Sequence, residues 1–183
     1  MLNNGVAHIE QSPGFFRITV PSRKNWFGLL FGTFWLFGWA FGLVMVTSQA
    51  LFRSSAPAPV NLFLLFWSLA WITGGLAIIV ILCWGFFGQE RFTLESSEVL
   101  FEKTVFGVGL KYRLDAMELR NFRTETTNSD WFGGNRWAFW GLGAGKVLFD
   151  YGFKTYSFGL ALDDAEAQHL VGLLQQKFRH GVQ

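Results

Sequence analysis

Two long tracts without a charged side chain limit what this chain can fold into. Residues 25–52 read NWFGLLFGTFWLFGWAFGLVMVTSQALF, and residues 54–89 are equally free of Asp, Glu, Lys and Arg. Each exceeds the ~20 residues a helix needs to cross ~30 Å of hydrocarbon. In lipid the backbone N–H and C=O groups find no outside partner, so such tracts are expected to be helical. The link between them, RSSAPAP, is too short to be a domain. The expectation is a transmembrane hairpin over residues 25–88.

The first tract is too long, starts too late and lacks the small-residue cleavage pattern of a secretory signal peptide. Lys and Arg flanking the spans set their orientation. Arg17, Arg23 and Lys24 precede the first, Arg91 and Lys103 follow the second, and Arg53 alone lies between them. Both termini are therefore expected in the cytoplasm. Gly28/Gly32 and Gly38/Gly42 are GxxxG pairs, which let helix backbones approach closely; packing within the hairpin is the favoured reading. Trp26 and Trp84 suit an interfacial belt. Neither span contains an ionisable proton or ion carrier, which argues against a transporter working alone. Thr33, Thr47, Ser48, Ser68 and Thr73 are expected to return their hydroxyls to the helix backbone.

Charge distribution narrows the function classes. The net charge is +2. Residues 1–88 hold four basic residues against Glu10, which leaves eleven basic and twelve acidic residues for 89–183. A nucleic-acid module would concentrate positive charge in its folded domain, so nucleic acid is not an expected partner. His8, His169 and His180 are scattered, with no metal-ligand spacing, and Cys83 among apolar neighbours reads as a small buried hydrophobe. Neither a metal nor a cofactor is expected.

After residue 88 the pattern changes to short alternating segments. Strands are expected near 90–95, 98–106, 109–114, 117–124, 136–141, 145–151 and 153–158. Val147, Phe149 and Tyr151 share one face, and Tyr151-Gly152 reads as a two-residue hairpin turn with glycine supplying the positive φ. Gly143-Ala144-Gly145-Lys146 superficially resembles the end of a phosphate-binding loop. That loop requires Gly five residues before its last Gly and Ser or Thr after the Lys. Trp140 and Val147 stand there instead, and a strand follows, so the glycines are read as a turn. The helical period returns at 163–178, with Ala167, Leu170, Val171, Leu174 and Phe178 on one face. Gln168, Gln175, Gln176 and Arg179 cover the other, His169 lies on the exposed flank, and Asp163 with Glu166 forms a capping box.

The expected domain is a mainly-β barrel or bent sandwich over 89–183, plugged by one C-terminal helix. With the paired spans, the entry FRITVPSRKNW and the ending KVLFDYGFKTYSFGLALDDAEAQHLVGLLQQKF, the chain resembles the bacterial pleckstrin-homology-like (PH-like) membrane proteins, which implies a place in a bacterial inner (plasma) membrane. Its plan is similar, more loosely, to that of the photosystem I assembly proteins of chloroplasts and cyanobacteria. The segment 1–24 is read as a cytoplasmic extension in which Phe16, Ile18 and Val20 alternate, suited to pairing with the barrel edge.

Three functions follow from this reading. The leading one is a noncatalytic membrane protein whose PH-like domain makes a protein–protein interaction, as an assembly factor for a membrane complex. Its surface would be the aromatic stretch 124–141, with Trp131, Phe132, Arg136 and Trp137 at the contact. The second is a module for membrane lipids, whose headgroups would meet Lys103, Lys111 and Arg113. The third is an enzyme using carboxylates such as Glu95, Glu98 and Asp150, which sit in no catalytic motif. No catalytic residue is assigned.

Overall fold

A computed structural model describes residues 5–52, 58–125 and 140–180. Two helices are long and apolar enough to cross a membrane: α1, Trp26–Phe52, and α2, Ala58–Phe87. The described residues also form eight strands: β1 His8–Ser12, β2 Phe15–Pro21, β3 Gly88–Glu95, β4 Glu98–Val105, β5 Val108–Asp115, β6 Leu119–Thr124, β7 Val147–Tyr151 and β8 Lys154–Phe158. A final helix, α3, spans Asp164–His180.

The chain divides into two compact units, one holding residues 26–83 and the other the residues before and after them. In the β-rich unit, β1 to β5 form a five-stranded antiparallel sheet in sequence order, and β6, β7 and β8 form a three-stranded one. The segment read as a cytoplasmic extension is thus two strands of the domain. β2 lies inside the sheet, bonded to β1 on one side and β3 on the other. The helical hairpin is an insertion between neighbouring strands: the chain leaves the sheet at Pro21 and returns at Gln89, its cross-strand partner. A run of alternating residues has unmet N–H and C=O groups on both edges, and pairing on both sides satisfies them.

The core is built by that alternation. Phe16, Ile18 and Val20 are buried from β2, Phe92 from β3, Val99 and Phe101 from β4, Val147 and Phe149 from β7, and Phe158 from β8. Phe149 meets Phe92 and Phe101 edge-on at 5.6 and 5.7 Å and stacks on Tyr156 at 5.5 Å. Burying each such ring stabilises the fold by about 1.5–3 kcal/mol. α3 closes the core with Ala167, Leu170, Val171 and Leu174, the face its period marks, while Phe178 packs partly buried against Phe122 at 4.8 Å. Its capping box is reciprocal. Asp163 Oδ1 accepts the Glu166 N–H at 2.6 Å, and Glu166 Oε2 accepts the Asp163 N–H at 3.2 Å. Glu166 Oε1 also accepts the Val6 N–H, pinning the chain just before β1.

Two local expectations are corrected. The β7–β8 turn is Gly152-Phe153, because Tyr151 still pairs with Lys154; Gly152 supplies the positive φ, at 57°. Where a strand was expected over 136–141, Trp140 is in a 3-10 turn and Gly141 in a turn with φ +75°; the rest of that segment lies outside the described residues.

In the helical unit, Thr33, Thr47, Ser48 and Thr73 return their hydroxyls to carbonyls three or four residues back. α1 and α2 meet through tryptophans. Trp71 Nε1 donates to the Trp39 carbonyl at 3.4 Å, and the Trp39 ring lies so close over Gly75 that a methyl there would overlap it.

Candidate functional site

The end of the β-rich unit where the chain departs for and returns from the helices is a dense knot of hydrogen bonds. The last carbonyls of a helix have no intrahelical partner. At the end of α2 the other strand of the crossing supplies them: Ser22 Oγ donates to Gly85 O at 3.0 Å and Lys24 Nζ to Phe86 O at 2.6 Å. The Ser22 N–H donates to Gly88 O at 2.9 Å. Lys24 also places a positive charge at the negative end of the helix dipole. Trp84, expected at a membrane belt, donates its indole N–H to Gly141 O at 2.7 Å. Gly141 has φ +75°, and a Cβ there would come within 3.0 Å of Arg23 O.

Nearby, Glu90 points to the core side of β3 and is only 6% exposed. One carboxylate oxygen holds Lys103 Nζ at 2.8 Å, and the other accepts the Gly159 N–H at 2.6 Å. Lys103 is therefore on the core side. Lys111 and Arg113 lie on the opposite face, where they align by register with Glu102 and Leu100. The proposed headgroup trio is not one patch, because 103 differs in strand parity from 100 and 102. The face that does gather positive charge holds Arg17, Arg91, Lys111 and Arg113, with Glu102 between Arg91 and Lys111 and Glu10 beside Arg17 at the sheet edge. Glu102 is bound to Lys111 at 3.0 Å.

The carboxylates considered for acid–base work are not brought together. Glu95 and Glu98 face each other across a turn, both exposed. Asp150 lies in the other sheet, where Arg123 Nη1 and Asn121 Nδ2 each donate to its Oδ2 at 2.8 Å and Thr155 Oγ1 donates to its Oδ1 at 2.7 Å. Asn121 has φ +57° at the bulge between Arg120 and Arg123, which turns its side chain toward Asp150. The Arg123 hydrogen bond, then those of Thr155 and Asn121, holds the Asp150 carboxyl down to about 2. So weak a base abstracts protons poorly near neutrality, and it is not protonated there to act as an acid. Asp150 is a brace between β6, β7 and β8. The glycine-rich GLGAGK stretch is equally structural. Gly145 lies against the Phe158 backbone with no room for a Cβ, and Lys146 Nζ is bound to Asp164 Oδ1 at 2.7 Å, at the start of α3.

Trp131, Phe132, Arg136 and Trp137 lie outside the described residues. Of the GxxxG glycines, Gly28 and Gly32 are buried, Gly42 faces the Trp71 ring at 3.7 Å, and a Cβ on Gly38 would meet nothing within 4 Å among the described residues. His169 is exposed, as expected.

Two features escaped the sequence reading: both are phenylalanines placed in two-residue hairpin turns. Phe106-Gly107 joins β4 to β5, with Phe106 at φ +51°. Gly152-Phe153 joins β7 to β8, with Phe153 fully exposed. Such turns favour Asn, Asp and Gly, so a large ring beside the glycine was the available signal. The two turns lie at opposite ends of the unit. Gly159, just past the far end of β8, bonds Glu90 near the β4–β5 turn, which leaves Phe153 at the other end. Compared with protein-family models and with curated proteins, the chain matches none.

Proposed function

We propose that the chain is a noncatalytic integral membrane protein that holds a PH-like β domain at the bilayer surface as a docking module for another protein, assisting the assembly or stability of a membrane complex. In this reading α1 and α2 are its transmembrane hairpin in a bacterial inner membrane, and the Lys/Arg asymmetry supports cytoplasmic termini. The observation that carries the docking reading is Phe153. It stands fully exposed on a turn at the end of the domain away from the strand ends joined to the helices. Met117, exposed in the turn Ala116–Glu118 just before β6, lies at the same end of that sheet, since Leu119 pairs with Tyr151. Exposed aromatic and Met side chains on a rigid scaffold are typical anchors of protein interfaces. The aromatic stretch with Trp131, Phe132, Arg136 and Trp137 is a second candidate contact, on its sequence alone.

The test is a mild-detergent pull-down from native membranes, read by quantitative mass spectrometry. Wild type is set beside Phe153→Ser/Met117→Ser and beside Trp131→Ala/Phe132→Ala. A stoichiometric partner lost in either double variant supports docking. A protein that purifies with lipid alone in every form rejects it and favours a lipid-headgroup module, for which the Arg17, Arg91, Lys111 and Arg113 face is the specific observation.

A further inference from the structure

At the other end of the β-rich unit the exposed side chains are apolar where a soluble hairpin would be polar. Phe106 in the β4–β5 turn is 77% exposed, followed by Val108 at 79% and Leu110 at 60%. Val108 and Leu110 lie on the core-facing side of β5 but project beyond the buried core. Phe106 also occupies the left-handed region, which a bulky side chain disfavours and an Asn or Gly would occupy readily. Backbone geometry therefore does not account for an aromatic ring there.

The register supplies the missing neighbour. Val105, the residue before the turn, pairs with Gly88, the first residue after α2. Phe87 is the last residue of the second membrane-compatible helix, itself exposed, and its ring lies 4.7 Å from that of Phe106. We propose that the β4–β5 tip is a membrane wedge: Phe106, Val108 and Leu110 lodge at the headgroup–acyl boundary of the bilayer that holds α1 and α2. This rests on the membrane reading above, because the tip touches Phe87, where α2 ends. Exposed rings beside a span end match the amphipathic interfacial layer, where apolar side chains insert about 5–10 Å. Lys111 and Arg113 then follow on β5 on its outer, solvent-facing side, where anionic headgroups attract basic residues. The wedge and the hairpin would together fix the domain's tilt and leave the Phe153 end free for a partner.

The test uses the full chain in a Cys83→Ala background, reconstituted into phosphatidylcholine–phosphatidylglycerol vesicles. Single cysteines at Phe106→Cys, Val108→Cys, Phe153→Cys and Leu76→Cys carry an environment-sensitive fluorophore. Lipids spin-labelled near the headgroup or near the acyl end serve as quenchers. The expected result at 106 and 108 is blue-shifted emission, with greater loss to the shallow quencher than to the deep one. Position 153 stays water-like, and position 76, midway along α2, is quenched by the deep label. The Val108→Cys form keeps Phe106 in place, so loss of the ring cannot by itself explain a water-like signal. Water-like emission at both 106 and 108 with quenching at 76 overturns the wedge and leaves the membrane reading intact. Absence of quenching at 76 overturns the membrane reading, and the wedge with it.

Discussion

Glu90 on β3 accepts the amide N–H of Gly159, just past β8, at 2.6 Å, and so ties the five-stranded sheet to the three-stranded one. The same carboxylate holds Lys103. Glu90→Ala strips a buried amide of its acceptor and leaves an ammonium without its counter-charge. Lys103 keeps some access to water, so the cost falls below that of a fully buried pair, at about 2–3 kcal/mol. Glu90→Gln keeps an acceptor for Gly159 and should cost about half as much. Thermal unfolding of the intact chain in micelles, followed by near-UV circular dichroism, should rank wild type, then Gln, then Ala. Equal midpoints for all three would show that the sheets are held together without this link.

Asp150 sets an acid limit. Its carboxyl is held down to about 2 by Arg123, Thr155 and Asn121, against an ordinary 3.8. A depressed folded value means that the contribution to stability is complete above the unfolded value and is lost as pH falls through the folded one. The expected window therefore lies between the ordinary value and about 2. Carboxyl NMR of Asp150 should follow this titration, and Arg123→Ala should move it back toward the ordinary value by removing the largest cause. An unchanged Asp150 titration in that variant would assign the depression to Thr155 and Asn121.

The glycine-rich turn separates a structural role from a nucleotide site. Gly145→Ala drives a methyl into the Phe158 backbone, which side-chain rotation cannot relieve, and should cost about 1–3 kcal/mol. Lys146→Ala removes a pair whose Asp164 partner is largely exposed and should cost under about 1 kcal/mol. A phosphate-binding loop behaves in the opposite way, since its lysine carries ligand affinity. Calorimetry with ATP–Mg²⁺ on the two variants and wild type distinguishes them: saturable heat lost in Lys146→Ala would restore the nucleotide reading.

How much of this was legible follows the range of each interaction. The spans, α3 with its buried face, and the Asp163–Glu166 box depend on residues within a few positions of one another, and their spacing is visible in the chain. The strands from 90 to 124 were found for the same reason. The place of β2 was not, because its partner β3 lies beyond two helices in sequence, and nothing local distinguishes an inner strand from an edge. The headgroup trio failed on parity: Lys103 and Lys111 look adjacent until the turn fixes the register and sends them to opposite faces. Glu90 reads in sequence like any polar strand residue, since its partner Gly159 comes from just past β8 in the other sheet. Phe106 and Phe153 could have been found, had the turns been placed to the residue.

The helical hairpin distinguishes two uses of small residues. Gly75 on α2 accommodates the Trp39 ring, and Gly42 on α1 faces Trp71, whereas Gly38 offers an open surface. Gly75→Ile should force Trp39 out, weaken the Trp71 N–H bond to the Trp39 carbonyl and loosen the helix pair; repacking losses of this kind run to about 1–3 kcal/mol. A Cβ on Gly38 meets no described residue within 4 Å, so Gly38→Ile should leave the isolated hairpin intact. If the Gly38/Gly42 pair serves a second helix from another protein or another copy, Gly38→Ile should abolish that association, because close backbone approach is what the missing side chain allows. Both effects can be read on one set of samples. Near-UV dichroism of the tryptophans reports the hairpin, and cross-linking in vesicles at graded protein-to-lipid ratios reports association. Loosening by Gly38→Ile as great as by Gly75→Ile would mean that α1 packs on α2 through its glycines rather than through Trp39.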